Sequence, residues 1–506
     1  MFLDLEPGNL AEPISGRAWD RTSIQREVAL RVARFQAHGL QRGERVFLPF
    51  GNRLEFFAEL LAIWRLGGCA VPIDARLTPF EVTTLVGAAL PRLAVVDDAT
   101  DPAVLAALAL AGVPTVDTQD TGTVQAAAGL CRLDDDALIL FTSGSTGAPK
   151  GVLHTHRSLR ARWISLRERL GVADFERTLC LLPTHFGHGL ICNCLFPWLS
   201  GQDLFITPPF RPDILMRLGK LLDAHRITFM SSVPSVWKMA LKLATPPRVG
   251  TLKRVHVGSA PLSAHAWEEI RRWTGTRQVC NAYGITETGS WVVGLANADV
   301  PAEDGLVGEG WGAVVKVLRT AETNEPLTAQ AECAVGESGY VWLNTPALMK
   351  GYFQRDDLTQ AAVIDGWFFT GDIGLLNERG QLVLKGRERD EINKGGMKIY
   401  PADVDAVVER FAQASDVCTF ALDDDLYGQI VGIAVVLGDA QDSTVRALHA
   451  WMAQHLAEPK MPSRWWLVDE IPRTSRGKIN REAVKAACAD RPALDLLRIL
   501  GAADRS

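Results

Sequence analysis

Nowhere does this chain carry the ~20 consecutive apolar residues that a helix needs to cross a bilayer, so a membrane-spanning helix is not expected. It has no long Lys/Arg run, and its formal net charge is −6, which argues against a surface built to coat nucleic acid. The opening residues, Met1-Phe2-Leu3-Asp4-Leu5-Glu6-Pro7, offer neither a basic stretch nor an apolar core. No secretory leader is therefore expected, and the cytoplasm is the expected location. Internal repeats and low-complexity tracts are missing too, which sets aside solenoids and linker-rich scaffolds. Nine cysteines are scattered without a Cys-x-x-Cys. Cys192 and Cys194 would share one face of a strand and could start a metal site, but no second pair completes it. Buried free thiols in a reducing compartment are the expectation. What remains is the composition of an ordinary globular protein, 506 residues long, enough for about three domain-sized units.

The pattern along the chain is one of alternation. Thr22-Ser23-Ile24-Gln25 reads as a capping box opening an amphipathic helix with Ile24, Val28, Val32 and Phe35 on one face. Arg45 to Phe50 reads as a strand, Leu54 to Leu66 as a largely buried helix stopped by Gly67-Gly68, and Thr78 caps a further helix whose Glu81 reaches back. Short apolar runs at 93–96, 179–182, 204–206, 227–230, 254–257 and 278–282 predict strands. Several are separated by helical stretches at 214–224, 235–243 and 264–273. Strands alternating with helices predict an α/β fold with mainly parallel sheets and ligands beyond the carboxyl ends of the strands. From about Val314 the strands become short and Gly-punctuated, which predicts a small β-rich subdomain. Past Gly386-Arg387 comes a final unit of mixed helices (403–411, 444–456) and strands (430–437, 465–468).

The chemistry gathers at Phe141-Thr142-Ser143-Gly144-Ser145-Thr146-Gly147-Ala148-Pro149-Lys150-Gly151, directly after the apolar run 137–141. Glycines let backbone N–H groups close on an anion, hydroxyls add donors, and Lys150 supplies a mobile positive charge. Such a loop holds a polyphosphate. A Walker-type loop would place Gly before the lysine and Ser or Thr after it; Pro149 and Gly151 stand there instead. A flexible Ser/Gly linker would have no reason to follow a buried strand or to end on a lysine.

This loop resembles the signature of the adenylate-forming superfamily, which includes acyl- and aryl-CoA ligases, adenylation domains of peptide synthetases and beetle luciferases. Further segments follow in the family's order, from Asp136 to about Arg481. Asn281-Ala282-Tyr283-Gly284-Ile285-Thr286-Glu287 resembles the adenine-and-magnesium segment. The resemblance implies that Tyr283 stacks on the base, Thr286 contacts the α-phosphate and Glu287 binds Mg²⁺. Gly258-Ser259-Ala260-Pro261 resembles the segment lining the adenine and acyl pockets. Gly366 to Asp372, before Gly386-Arg387, resembles the ribose site, with Asp372 accepting from the sugar hydroxyls and Arg387 donating. The run Gly339 to Tyr352 also matches and reads as structural.

Gly386-Arg387-Glu388-Arg389 resembles the hinge before a small C-terminal domain. The family's pivot is usually Asp or Lys, and its position here falls on Arg389. The expected division is a large N-terminal domain at 1–388 and a small mobile α+β domain at 389–506. Gly395 and Gly396 resemble the loop lining the thiol tunnel, and Lys478, within Ile471 to Ile479, falls where the family keeps its catalytic lysine. A cation there would orient a carboxylate against an α-phosphate and offset the charge that develops.

Leu182 to Leu190 resembles the segment that gates the acyl pocket. Alignment on Pro183 and Gly189 puts the gate at Phe186, with His185 and His188 beside it, so which ring gates stays open; the histidines also fit plain packing. Amino-acid-activating relatives place Asp where this chain has Gly187, and 2-hydroxyaryl ligases place Asn near the gate. Both are missing, which leans toward a neutral, mainly apolar acid, fatty or aryl. The resemblance therefore implies an acid–thiol ligase using ATP, Mg²⁺ and CoA on a small-molecule carboxylic acid. Two alternatives stand beside it. One loads the acyl group onto the phosphopantetheine of a carrier protein, and the other is a non-catalytic ATP-binding protein. The sequence does not give an oligomeric state.

Overall fold

The computed structural model describes residues 5–120, 131–143, 149–209, 211–319, 332–394, 397–424, 427–456, 458–474 and 477–501. Two large sheets and one small one organise them. The first runs Gly351–Tyr352, Pro149–Thr155, Asp136–Ser143, Cys69–Pro72, Arg45–Leu48, Leu93–Val96 and Thr115–Asp117. Its last five strands are parallel, and Pro149–Thr155 and Gly351–Tyr352 add on antiparallel. The second has the parallel strands Asp203–Ile206, Arg177–Cys180, Phe229–Ser232, Arg254–Gly258 and Val279–Ile285 at its centre. The helix Leu54–Arg65 touches strands of both sheets, and every residue from Leu54 to Trp64 is buried. A helix buried all round belongs between two layers; its Glu59 is paired with Arg31 and Arg34, and Trp64 donates its indole hydrogen to Ala137 O at 2.6 Å.

The β-rich stretch is not a separate sheet. Val279–Ile285 pairs parallel with Arg254–Gly258 through Ala282, then antiparallel with Ser290–Gly294 from Tyr283 onward, with a register shift at Tyr283/Gly284. From there the same sheet continues through Leu306–Gly310, Leu382–Arg387, Trp367–Leu376, Gly339–Asn344 and Val314–Leu318. One strand is thus the seam between the parallel and antiparallel halves. A bulge at such a seam re-aims the side chains beside it.

The third sheet joins Met397–Ile399, Ile392–Lys394, Gly428–Leu437 and Ala414–Asp424 antiparallel, with Arg464–Leu467 added parallel to Gly428–Leu437. Ile392, Val404, Val431, Ile433, Leu448 and Trp465 form its own core, under the helices Pro401–Glu409 and Asp442–His455. Polar contacts tie it to the rest of the chain. Lys238 Nζ lies 2.6 Å from Glu409 and 3.3 Å from Asp416, and Arg410 pairs with Asp304.

Several expectations need correction. The first helix is Arg21–Ala37, capped by Asp20, whose carboxylate accepts from Ser23 N at 2.8 Å; Thr22 lies inside the first turn. A carboxylate is as good an N-cap as a hydroxyl, and here it stands two residues earlier. The Thr78–Glu81 capping box is present as expected. The stretch 214–224 is two short helices, Pro212–Met216 and Leu218–Ala224. Cys192 and Cys194 sit on a π-helix, His188–Leu195, not a strand. All nine cysteines are free and eight of them buried, and no described cluster of His, Cys, Asp and Glu could hold a metal. No helix among the described residues is long and apolar enough to cross a membrane.

Candidate active site

The strand Asp136–Ser143 is buried through Leu140, as four consecutive apolar residues in a parallel-sheet position should be. It does not lead into a helix. It turns back as a hairpin with Pro149–Thr155, so that Thr142 stands opposite Lys150. The loop residues Gly144, Ser145, Thr146 and Gly147 lie outside the described residues, as does the side chain of Ser143. At the hairpin's returning end Lys150 Nζ sits 5.8 Å from the centre of the Tyr352 ring. Tyr352 donates its hydroxyl hydrogen to Glu287 Oε1 at 2.8 Å. Burial and this carboxylate hold the phenol well above its usual pKa, so it stays a donor. Lysine and glutamate from distant motifs are thus joined through Tyr352, a residue read from sequence as structural. The signal was weak because an aromatic at a strand end is ordinarily just packing.

Tyr283, at the seam of the large sheet, donates to Asp372 in a short hydrogen bond. Asp372 faces Arg387 across the antiparallel pair Trp367–Leu376 and Leu382–Arg387. Arg387 Nε lies 2.9 Å from its other oxygen. The guanidinium is held above its ordinary pKa by Asp372, while burial and Asp372 push the Tyr283 phenol well up. A 4%-exposed carboxylate with one neutral and one charged donor is a strong acceptor held in place. Asn281, two residues earlier, is buried and gives its amide nitrogen to Leu306 O at 2.9 Å, a backbone-holding role.

The acid-pocket segment gathers around His188. Its Nδ1 lies 2.9 Å from Ser259 Oγ and its Nε2 2.6 Å from Ser231 Oγ. Ser231 Oγ in turn lies 3.2 Å from His256 O. That carbonyl can only accept, so the Ser231 hydrogen goes there and His188 Nε2 donates to Ser231, leaving Nδ1 to accept from Ser259. Burial first, and the nearby Lys478 charge second, push His188 down to about 3, so it is neutral. Phe186 packs 5.9 Å from the His188 ring, and Trp291 5.5 Å from it on another side. Ser259 holds φ +66, a left-handed conformation rare outside glycine and common at working sites. Gly258 before it has no room for a side chain, since a Cβ would stand 2.4 Å from Ala282 O. Ala260 is half-buried and Pro261 exposed beyond it. His185 turns elsewhere, its Nε2 3.5 Å from Asp74. The signal for Ser231 was absent from the sequence: it lies within an ordinary buried strand.

Lys478 lies on a turn in which Thr474 N donates to Lys478 O at 2.8 Å and Gly477 N to Thr474 O at 2.9 Å. Gly477 has φ +76, and a Cβ there would meet Ser235 Oγ at 2.6 Å, so the turn is pressed onto the segment after Phe229–Ser232. Arg473 braces its base, with Nη2 2.9 and 2.7 Å from the two oxygens of Asp416. The Gly477–Ser235 approach brings this turn up to the segment that follows the Ser231-bearing strand, and the Lys478 charge adds to the lowering of the His188 pKa. Gly395 and Gly396 lie outside the described residues, as does the side chain of Arg389.

The family model described as AMP-binding enzyme matches residues 25–353, and that of the AMP-binding enzyme C-terminal domain matches residues 403–478. A 2-succinylbenzoate–CoA ligase of Bacillus velezensis is 29% identical over 459 residues, covering 90% of each chain. A long-chain-fatty-acid–CoA ligase of Mycobacterium tuberculosis is 26% identical over 469 residues, covering 89% of each. Among solved structures, ATP-bound MatB from Rhodopseudomonas palustris is similar with a TM-score of 0.84 and 26% identity, over 96% of this chain and 97% of that one.

Proposed function

This chain belongs to the AMP-binding enzyme family, and on that premise we propose that it converts a fatty or aryl carboxylic acid to its CoA thioester through an acyl-adenylate. In the first half-reaction the acid's carboxylate oxygen attacks the α-phosphorus of ATP, and the bond to pyrophosphate breaks. In the second the thiol sulfur attacks the acyl carbon of the mixed anhydride, and AMP leaves.

The roles fall to named residues. Thr142 and Lys150, with the loop 143–147, take the β- and γ-phosphates. Tyr283 lies along the adenine, and Asp372 and Arg387 take the ribose. Thr286 contacts the α-phosphate. Glu287, a hard carboxylate on a turn beside Lys150, suits Mg²⁺, which when bound would offset phosphate charge. Lys478 aligns the two reacting anions. Phe186, Gly187, His188 and Ser259 bound the acid. The division falls at 388/389, with Arg389 as pivot, and rotation there would withdraw Lys478 and bring the Gly395-Gly396 loop to the thiol.

The observation that carries this reading is the place of Lys478. It comes from the C-terminal part of the chain, on a turn pressed against Ser235, and its charge adds to the lowering of the His188 pKa. This supports the role given to Lys478 in the first half-reaction. Carboxylate-dependent ATP–pyrophosphate exchange across fatty, aryl and amino acids tests it, with CoA added to each active acid and thioester followed. Exchange plus thioester with a fatty or aryl acid is the expected result. Exchange without thioester points to a carrier-protein acceptor, and no exchange with tight ATP binding overturns the ligase reading.

A further inference from the structure

Glu287 stands in a single turn, Thr286–Thr288, whose three consecutive carbonyls are all held from outside it. Thr286 O lies 2.8 Å from His154 Nε2. Glu287 O accepts from Met349 N at 2.7 Å. Thr288 O accepts from Arg162 twice, from Nη2 at 3.0 Å and Nε at 3.3 Å. A carbonyl only accepts, so His154 carries its hydrogen on Nε2, and Nδ1 faces the Ser158 hydroxyl at 3.1 Å. Arg162 is fully buried, and no carboxylate among the described residues pairs with it. Its remaining donors go to Trp311 O at 2.6 Å and Thr345 Oγ1 at 3.3 Å. Burying a guanidinium against neutral oxygens is costly, and burial lowers it to about 10.

Both side chains come from one continuous piece. His154 is on Pro149–Thr155, the strand that begins with Lys150's neighbour, and Arg162 is on the helix His156–Leu170 that follows directly. The element that returns from the phosphate loop therefore grips the backbone on both sides of Glu287. We propose that His154 and Arg162 are positioning residues that lock the Glu287 carboxylate at a fixed distance from the phosphate hairpin, so that metal and phosphates are received together. The proposal rests on Glu287 as the magnesium residue. Outer-shell partners of this kind are typically worth ten- to a hundredfold in metal affinity.

The test is calorimetric binding of ATP, without acid, in excess Mg²⁺ and again in EDTA. The ratio of the two dissociation constants is the metal's own contribution. In His154→Leu the ratio is expected to fall about tenfold, while the EDTA constant stays within about twofold of the parent. His154→Gln, which keeps a donor for Thr286 O, recovers most of the ratio. Arg162→Lys, which keeps charge but loses the fork on Thr288 O, moves the ratio the same way and decides the matter if the leucine variant does not fold. Equal weakening in both media, or no change in either, overturns the proposal. Glu287→Gln separates the two levels. If it leaves the ratio intact, the metal assignment has failed; if it collapses the ratio while His154→Leu and Arg162→Lys do not, only the positioning role has.

Discussion

Tyr283 donates its phenol hydrogen to Asp372, 89 residues further on, where the parallel half of the large sheet turns antiparallel. The pair joins two motifs that the chain keeps far apart, and it holds a buried carboxylate ready to accept two more hydrogens. A hydrogen bond to a charged acceptor contributes about 1.5–3 kcal/mol. Asp372→Asn should therefore raise KM for ATP by at least about tenfold with a smaller change in kcat. The parent should lose similarly when given 2′-deoxy-ATP, and the variant should lose little more with that nucleotide. Independent losses would show that Asp372 does not meet the ribose.

Lys478 offers a sharper split. Lys478→Ala removes the cation between two anions in the first half-reaction only. Exchange should fall by about 10²–10³-fold, the scale of one lost transition-state donor. ATP binding measured directly should change little. Thioester formation from acyl-adenylate supplied ready-made should persist, and its loss in parallel would place Lys478 in both steps.

Charged contacts join the third sheet and its helices to the rest of the chain. Lys238 bridges Glu409 and Asp416, and Asp416 also braces Arg473 beneath the Lys478 turn. Lys238→Met leaves two carboxylates without their common cation and should lower the exchange rate several-fold. The thioester step from supplied adenylate should be unchanged or faster, since the open arrangement is no longer opposed. A fall in both rates would mean that Lys238 serves stability alone.

Four buried histidines, His154, His156, His188 and His256, set an acid limit, and burial holds His256 well below its ordinary value as well. Burial pushes His154 and His156 to about 4 and His188 to about 3, against about 6.5 in an unfolded chain. Each folded pKa is depressed, so between these values the unfolded chain binds protons that the folded one refuses. Stability is whole above about pH 6.5 and falls with pH toward 4, by about 1.4 kcal/mol per unit for each histidine. Urea midpoints should hold from pH 7.5 to about 6.5 and then fall steadily to pH 5. His156→Phe, keeping the edge-on contact with Trp64 at 5.3 Å, should flatten the slope by about a quarter. A level profile over that range would contradict the account.

How far the sequence spoke depended on how local the determining interaction was. The strand at 93–96, the buried helix beginning at Leu54 and the Thr78 cap were legible because each is set by residues within a few positions of one another. The loop at 142–150, the Tyr283–Glu287 segment and Lys478 stood out as candidates because residue type and order mark them in the sequence. The Asp20 cap was missed for a similarly local reason: two capping side chains lay within three residues, and only the backbone path decides which is used.

Everything else needed the tertiary structure. A strand that is parallel on one side and antiparallel on the other looks like any strand in sequence, so the seam at Tyr283 could not be read. Tyr352 on Glu287, Ser231 on His188 and His154 on Thr286 are contacts across 65, 43 and 132 residues. No periodicity encodes such contacts, because side-chain pairing at that distance is fixed by sheet order and register rather than by neighbours. The chain alone determined which groups could do chemistry; the packing of its sheets decided which of them meet.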